Sequence, residues 1–184
     1  MRTSTILIAA IVVVVLAVVI GSRFAKGPAD DSYVIGAVFD VTGTGSPLGT
    51  PERDTVKMLE KQINDAGGIN GKKLKVVMMD NGSDEANSVK AMKQLIESDK
   101  VLAIIGTSQT GTTLSGAATV EAAKVPMVSC AAGVKIVDPV KPWIFKTAQS
   151  DVSAVAKVLD YLKAKKLTKI AVISVANAFG QSGK

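Results

Sequence analysis

The sequence predicts an α/β fold, a parallel sheet flanked by helices, and three observations predict it. Short apolar, β-branched runs recur at residues 33–39, 74–79, 101–105 and 125–129, and uninterrupted runs of this length suit strands buried on both faces. The segments between them carry apolar residues at helical spacing, as in Val89, Met92, Leu95 and Ile96. The joints are rich in Gly, Ser, Thr and Asn, the residues that turn a chain. Strands that alternate with helices in this way are accommodated by right-handed crossovers in a parallel sheet.

The first 31 residues stand apart. A short basic start, Met1 to Thr5 with Arg2, leads into an unbroken apolar run at residues 6–20. That pattern predicts export, by a secretory signal or a short membrane anchor with a linker. The run falls short of the roughly 20 residues of a typical spanning helix. Gly27-Pro28-Ala29 is a small-x-small candidate for cleavage, and no cysteine follows the run to carry a lipid.

The folded part opens with a strand at residues 33–39, followed by a long loop at 40–51 and a helix at 53–65 through Val56, Leu59 and Ile63. Residues 66–71, Ala-Gly-Gly-Ile-Asn-Gly, end that helix with left-handed-tolerant residues. A strand at 74–79, a helix at 85–97 capped by the Gly82-Ser83-Asp84 turn, and a strand at 101–105 come next. A helix at 112–123 and a strand at 125–129 continue the pattern, and an irregular stretch with Pro139 and Pro142 leads to residues 143–147. A helix at 151–165, N-capped by Ser150, and a strand at 170–175 complete the series. Residues 176–184 read as a loop and the first turn of a helix, so the domain is expected to be truncated there.

Composition narrows the function. Aromatics are 4% of the chain, too few for a stacking surface, so no nucleic-acid partner is expected. The net charge of +6 is spread over lysines interleaved with acids, which is solubility chemistry. No histidine is present, which removes imidazole relays and the commonest metal ligand, and neither metal nor cofactor is expected. The single cysteine, Cys130, permits no intrachain disulfide and reads as a packed thiol at a buried strand end.

The chemistry concentrates after the third strand, where residues 106–113 are nearly all Gly, Ser, Thr or Gln. A helix start offers amides without intrahelical acceptors, so this loop is either a seat for a carboxylate or a polar loop that caps its own helix. A dinucleotide site is the rival: Gly43-Thr44-Gly45 follows the first strand, Gly49 comes soon after and Asp80 ends the second. Pro47, the GxGxxxG spacing, a gap before the helix at Arg53 and the export segment all speak against an NAD-dependent oxidoreductase. Ser108, Ser129 and Thr110 lack a histidine and a G-x-S-x-G elbow, so hydrolase chemistry is disfavoured. Asp40 and Asp80 read as solvated loop acids in preference to metal ligands, and Lys163, Lys165 and Lys166 as a solvated helix end.

The order of several segments resembles the type I periplasmic-binding-protein family, in particular the branched-chain amino acid (LivJ-like) receptors of ABC transporters. The matching stretches are residues 35–43 with Leu48-Gly49, residues 63–74 (Ile-Asn-Asp-Ala-Gly-Gly-Ile-Asn-Gly-Lys-Lys-Leu), 103–108, 124–129, 142–147 and 178–180. The resemblance implies two α/β lobes closing like a clamshell on an amino acid or related small carboxylate, served by ABC permease subunits. Residues 32–142 would form most of the first lobe, and residues 143–184 a hinge crossing and the start of the second. It implies that Ser108, Gln109, Thr110 and Gly111 hold the ligand carboxylate, with Thr110 supplying the hydroxyl. Ala131, Ala132 and Gly133 would offer a carbonyl and further groups, although relatives often carry Thr or Ser at the place of Gly133. Leu48 would lie against the ligand side chain, and Phe179 would line the pocket from the second lobe. An acid that pairs with the ammonium in relatives would fall beyond Lys184. The location implied is the periplasm or the outer face of the cytoplasmic membrane, with membrane attachment if the first segment is uncleaved. An anchored sensory domain shares all these features and differs only in output.

Overall fold

The sheet grows outward from β1 (Tyr33–Phe39), whose last four residues, Gly36 to Phe39, are buried. On one side β2 (Leu74–Asp80) runs parallel to it, from Tyr33 opposite Leu74 to Phe39 opposite Asp80. On the other side lie β3 (Ile104–Gly106), β4 (Met127–Ser129) and β5 (Ile144–Lys146), giving the order β2-β1-β3-β4-β5 with every pair parallel. The helices α1 (Ser46–Asp65), α2 (Glu85–Glu97) and α3 (Thr110–Ala123) are the crossovers. These coordinates are a computed structural model that describes residues 31–184. The apolar run at residues 6–20 lies outside the described residues, and among the described residues no helix is long and apolar enough to cross a membrane.

Val38, Met92, Leu95, Ile104, Val120 and Met127 form the centre of the core between the sheet and α2 and α3. The two helices approach so closely that a Cβ on Gly116 would stand 2.0 Å from the Met92 sulfur. Asp84 caps α2 as expected, its carboxylate accepting from the Asn87 amide at 2.7 Å.

Four elements start at places other than expected. Helix α1 begins at Ser46, not Arg53, with Pro47 in its first turn. Proline is tolerated there because the first amides of a helix need no intrahelical acceptor. Strand β3 starts at Ile104, yet residues 101–103 still follow β1 through Leu102 N–H to the Val34 carbonyl (2.9 Å) and Gly36 N–H to the Ala103 carbonyl (2.8 Å). Strand β4 starts at Met127, after Pro126, which has no N–H to give a ladder. Helix α3 starts two residues early, at Thr110.

Beyond β5, α4 (Asp151–Ala164) has Ser150 at its N-cap position, but the serine side chain makes no capping bond. The Asp151 carboxylate accepts from the Val152 amide instead, at 3.0 Å. The expected strand at residues 170–175 is not formed: no strand pairs with it, and Ile173 is 98% exposed. A β-propensity run becomes a strand only where a neighbour supplies its ladder, and the five-stranded sheet ends at β5. A short helix, α5 (Ala178–Ser182), follows.

Candidate functional site

All five strands point their carboxyl ends the same way, so the turns after β3 and β4 emerge side by side, the usual position for a ligand in an open α/β sheet. The two tips are tied together by the Cys130 amide, which donates to the Thr107 carbonyl at 3.2 Å, and by Thr113 and Ser129, whose hydroxyls stand 2.9 Å apart. Thr107 extends this buried hydroxyl chain to Thr112 (2.6 Å) and Thr113 (2.9 Å). Such a chain fixes both turns in register, because every buried hydroxyl must find a partner. Above them opens a cavity of about 500 Å³, bounded by the turns, by α1, by the start of α2 and by the 177–179 segment.

Among the described residues the amides of Thr110, Gly111 and Thr112 have no acceptor, and the first amide of α3 to be satisfied is Thr113, which donates to the Gln109 carbonyl at 3.0 Å. The loop therefore does not cap its own helix; the Gln109 side chain turns away to donate to Asp40 at 2.8 Å. The Ala132 amide is also without an acceptor among the described residues, whereas its carbonyl receives the Lys146 ammonium at 2.7 Å. The Ala131 carbonyl has no donor among the described residues.

Leu48, Ser108, Gln109, Thr110, Gly111, Ala131, Ala132 and Phe179 all line this one cavity. Gly133 stands one layer back. Its amide donates to the Thr110 hydroxyl at 3.3 Å, and a Cβ there would lie 2.4 Å from Thr110 Cγ2. A Thr or Ser at position 133 could not coexist with Thr110 in this rotamer, so the missing hydroxyl is the space that Thr110 fills. The Ser108 hydroxyl is engaged twice, accepting from the Asp40 amide at 3.1 Å and donating to Glu52.

The family can now be stated from comparison. Residues 32–184 match the periplasmic binding protein family. The chain belongs to that family. A curated relative, an amino acid binding protein of Pseudomonas aeruginosa, is 27% identical over 153 residues, covering 80% of this chain and 40% of its own. The chain also superimposes on the branched-chain amino acid transporter substrate binding protein LivJ of Streptococcus pneumoniae, solved with isoleucine, at TM-score 0.63 and 30% identity over 65% of this chain and 34% of that one. An extracellular ligand-binding receptor of Rhodopseudomonas palustris HaA2 aligns at TM-score 0.76 and 26% identity over 83% of this chain and 41% of that one. The chain thus spans about 40% of the length of the curated relative.

In this periplasmic-binding-protein family member the structure adds residues that the sequence pattern hid. Glu52 and Glu85 line the cavity, with Thr44, Ser83, Cys130 and Asn177. Leu48 and Glu52 are one turn apart on α1, so both face the cleft; the expected loop at 40–51 concealed that pairing. Burial pushes the Glu52 carboxyl above its ordinary range, the Ser108 hydrogen bond works the other way, and the nearby Asp40 adds to the rise. Burial, with the Glu52 charge, pushes the Cys130 thiol up to about 12, so at neutral pH it is a protonated thiol, not a nucleophile.

Of the two strand-end aspartates expected to be solvated loop acids, Asp80 is exposed and Asp40 is not. Asp40 is fully buried and accepts from Asn81 (2.8 Å) and Gln109 (2.8 Å). Asp80 clamps the turn after β1, accepting from the amides of Val41 (3.0 Å), Thr42 (3.1 Å) and Gly82 (2.9 Å) and from the Thr42 hydroxyl (2.7 Å). Both of its oxygens thus serve the turns after β1 and β2. Burial opposes its ionisation, but the hydrogen bonds from Gly82, Thr42 and Val41 outweigh it and hold the carboxyl below its usual value. A carboxyl depressed in the folded state binds its proton less readily there than in the unfolded chain. Its contribution is therefore present above the unfolded value and lost as pH falls through the folded one. Acid unfolding followed by circular dichroism should show Asp80→Asn losing part of the wild-type stability gain between about pH 2 and pH 4. Equal slopes for the two proteins would refute the assignment.

Proposed function

We propose that the chain is the ligand-binding part of an extracytoplasmic solute receptor of an ABC importer, taking an amino acid or related small carboxylate in the cleft described above. In this reading residues 32–142 belong to the first lobe, and residues 143–184 are a crossing and the start of a second. The observation that carries it is the set of amides without acceptors at Thr110, Gly111, Thr112 and Ala132, which share one cavity with the unfilled Ala131 carbonyl. Donors gathered at a helix start suit a carboxylate, and a carbonyl beside them suits an ammonium. Leu48 and Phe179, both about half exposed, offer apolar surface to the rest of the ligand. The isoleucine in the Streptococcus pneumoniae relative and the name of the Pseudomonas aeruginosa one support the ligand class. A receptor that binds and releases its solute needs no nucleophile, in keeping with a protonated Cys130 and a chain without histidine.

Closure of a second lobe would add contacts and shift an open–closed equilibrium by the ligand's differential affinity. Delivery would be to permease subunits at the membrane. Isothermal titration of the full-length protein against amino acids and aliphatic and aromatic acids tests the reading. Thr110→Val should weaken the bound ligand by about tenfold or more, the worth of a hydrogen bond to a charged group. Binding of a nicotinamide dinucleotide in place of these ligands would overturn it.

A further inference from the structure

The cleft's charge is one-sided. Among the described residues its lining holds two carboxylates, Glu52 and Glu85, and neither lysine nor arginine. The nearby ammonium of Lys146 is turned to backbone oxygens, the carbonyls of Ala132 (2.7 Å) and Gln149 (3.3 Å).

The two acids come from different elements and flank the same loop. Glu52 projects from α1 and reaches Ser108, the first residue of the Ser108–Gly111 loop. Glu85, in the first turn of α2, reaches its last: a Cβ on Gly111 would stand 2.5 Å from Glu85 Oε1. Among the described residues neither oxygen of Glu85 has a hydrogen-bond partner, and only one oxygen of Glu52 has one, the Ser108 hydroxyl. Around one cavity, among the described residues, the Ala131 carbonyl and one oxygen of the half-buried Glu52 are acceptors without protein donors, and the exposed Glu85 carboxylate lines the same cavity.

We propose that Glu52 and Glu85 set the ligand's charge, so that the cleft prefers a small molecule of net positive charge, a carboxylate that also carries an ammonium and a second cationic group such as a guanidinium. The inference rests on the cleft being the ligand site, as argued above. The amides at the start of α3 offset only about half a unit of negative charge. A ligand carboxylate seated there meets two protein carboxylates across a cavity, and cations carried by the ligand balance them. One ammonium answers the Ala131 carbonyl and one acid, and a further cation on the ligand answers the second. An anionic ligand without a cationic group adds a third negative charge and brings no counter-charge to either acid, which is the stronger form of discrimination.

L-arginine and L-citrulline differ in charge at nearly constant shape, and they make the test. Isothermal titration of the full-length protein should show L-arginine binding at least tenfold tighter than L-citrulline, with 4-hydroxybenzoate weakest. Glu52→Gln and Glu85→Gln keep the side-chain shape and an acceptor oxygen, and each should cut the arginine-to-citrulline ratio several-fold while the thermal midpoint stays near wild type. If citrulline or 4-hydroxybenzoate binds as tightly as arginine, or if neither variant moves the ratio, the inference fails and the cleft remains a ligand site. If none of the three probes nor L-leucine binds, the reading of the cleft fails with it.

Discussion

Asp40→Ala is expected to cost about 2–4 kcal/mol of folding stability, because it leaves amide donors without their acceptor in a buried place. Asp40 is 0% exposed at the end of β1, where its two oxygens receive the Asn81 and Gln109 amides, each at 2.8 Å. Asp40→Asn separates charge from geometry. With the Gln109 amide held as it is, the asparagine NH2 faces another NH2 whichever way it turns, from Asn81 or from Gln109, so the shape is kept and one contact becomes repulsive. That variant should still lose about 1–3 kcal/mol. Urea denaturation of the three proteins reads both numbers. An Asp40→Asn variant within about 0.5 kcal/mol of wild type, the range of an ordinary surface change, would mean that the network is not holding the strand end.

The same network marks the limit of what pattern reading reaches. Apolar runs and helical spacing suffice for the βα order and for the sheet's parallel sense, because those depend on which face of each element must be buried. The resemblance placed the cleft loops, and all the residues it named except Gly133 face one cavity. Three things were not legible. Helix α1 begins among two prolines, Pro47 and Pro51, which as isolated letters read as breakers; only the helix puts Leu48 and Glu52 on one face. Asp40 reads as a loop acid until Asn81 and Gln109, 41 and 69 residues away, are seen to close over it. The run at residues 170–175 has the composition of a strand but not the neighbour. In each case the missing information is tertiary: a partner distant in sequence decides the state of a residue whose local signal is ambiguous.

The relation of Thr110 to Gly133 is of the same kind. Thr110, 2% exposed, accepts from the Gly133 amide across the two turns, and its methyl fills the space that a side chain at position 133 would need.

The largest single-residue effect is expected at Gly106, the last residue of β3, where a side chain meets the backbone of the neighbouring strand. A Cβ there would stand 2.0 Å from the Val38 carbonyl oxygen and 3.1 Å from its carbon, both backbone atoms of β1. Backbone in the middle of a sheet cannot step aside as a flexible side chain can, and Val38 is the register partner of Gly106. The residue also sits at φ +107°, which a Cβ disfavours by itself. Gly67 separates the two causes: its φ is +98°, and nothing lies within 4 Å of the added carbon. Gly67→Ala should therefore cost about 1–2 kcal/mol, the backbone term alone. Gly106→Ala should cost more than about 4 kcal/mol, in the range reserved for clashes and strain together. Because Thr107 and Ser108 follow directly, the variant that still folds should also lose ligand affinity, since β3 must pull away from β1 and carry the loop with it. Urea midpoints for the two alanine variants, measured side by side, decide the matter: equal losses at positions 67 and 106 would show that the strands have room to part.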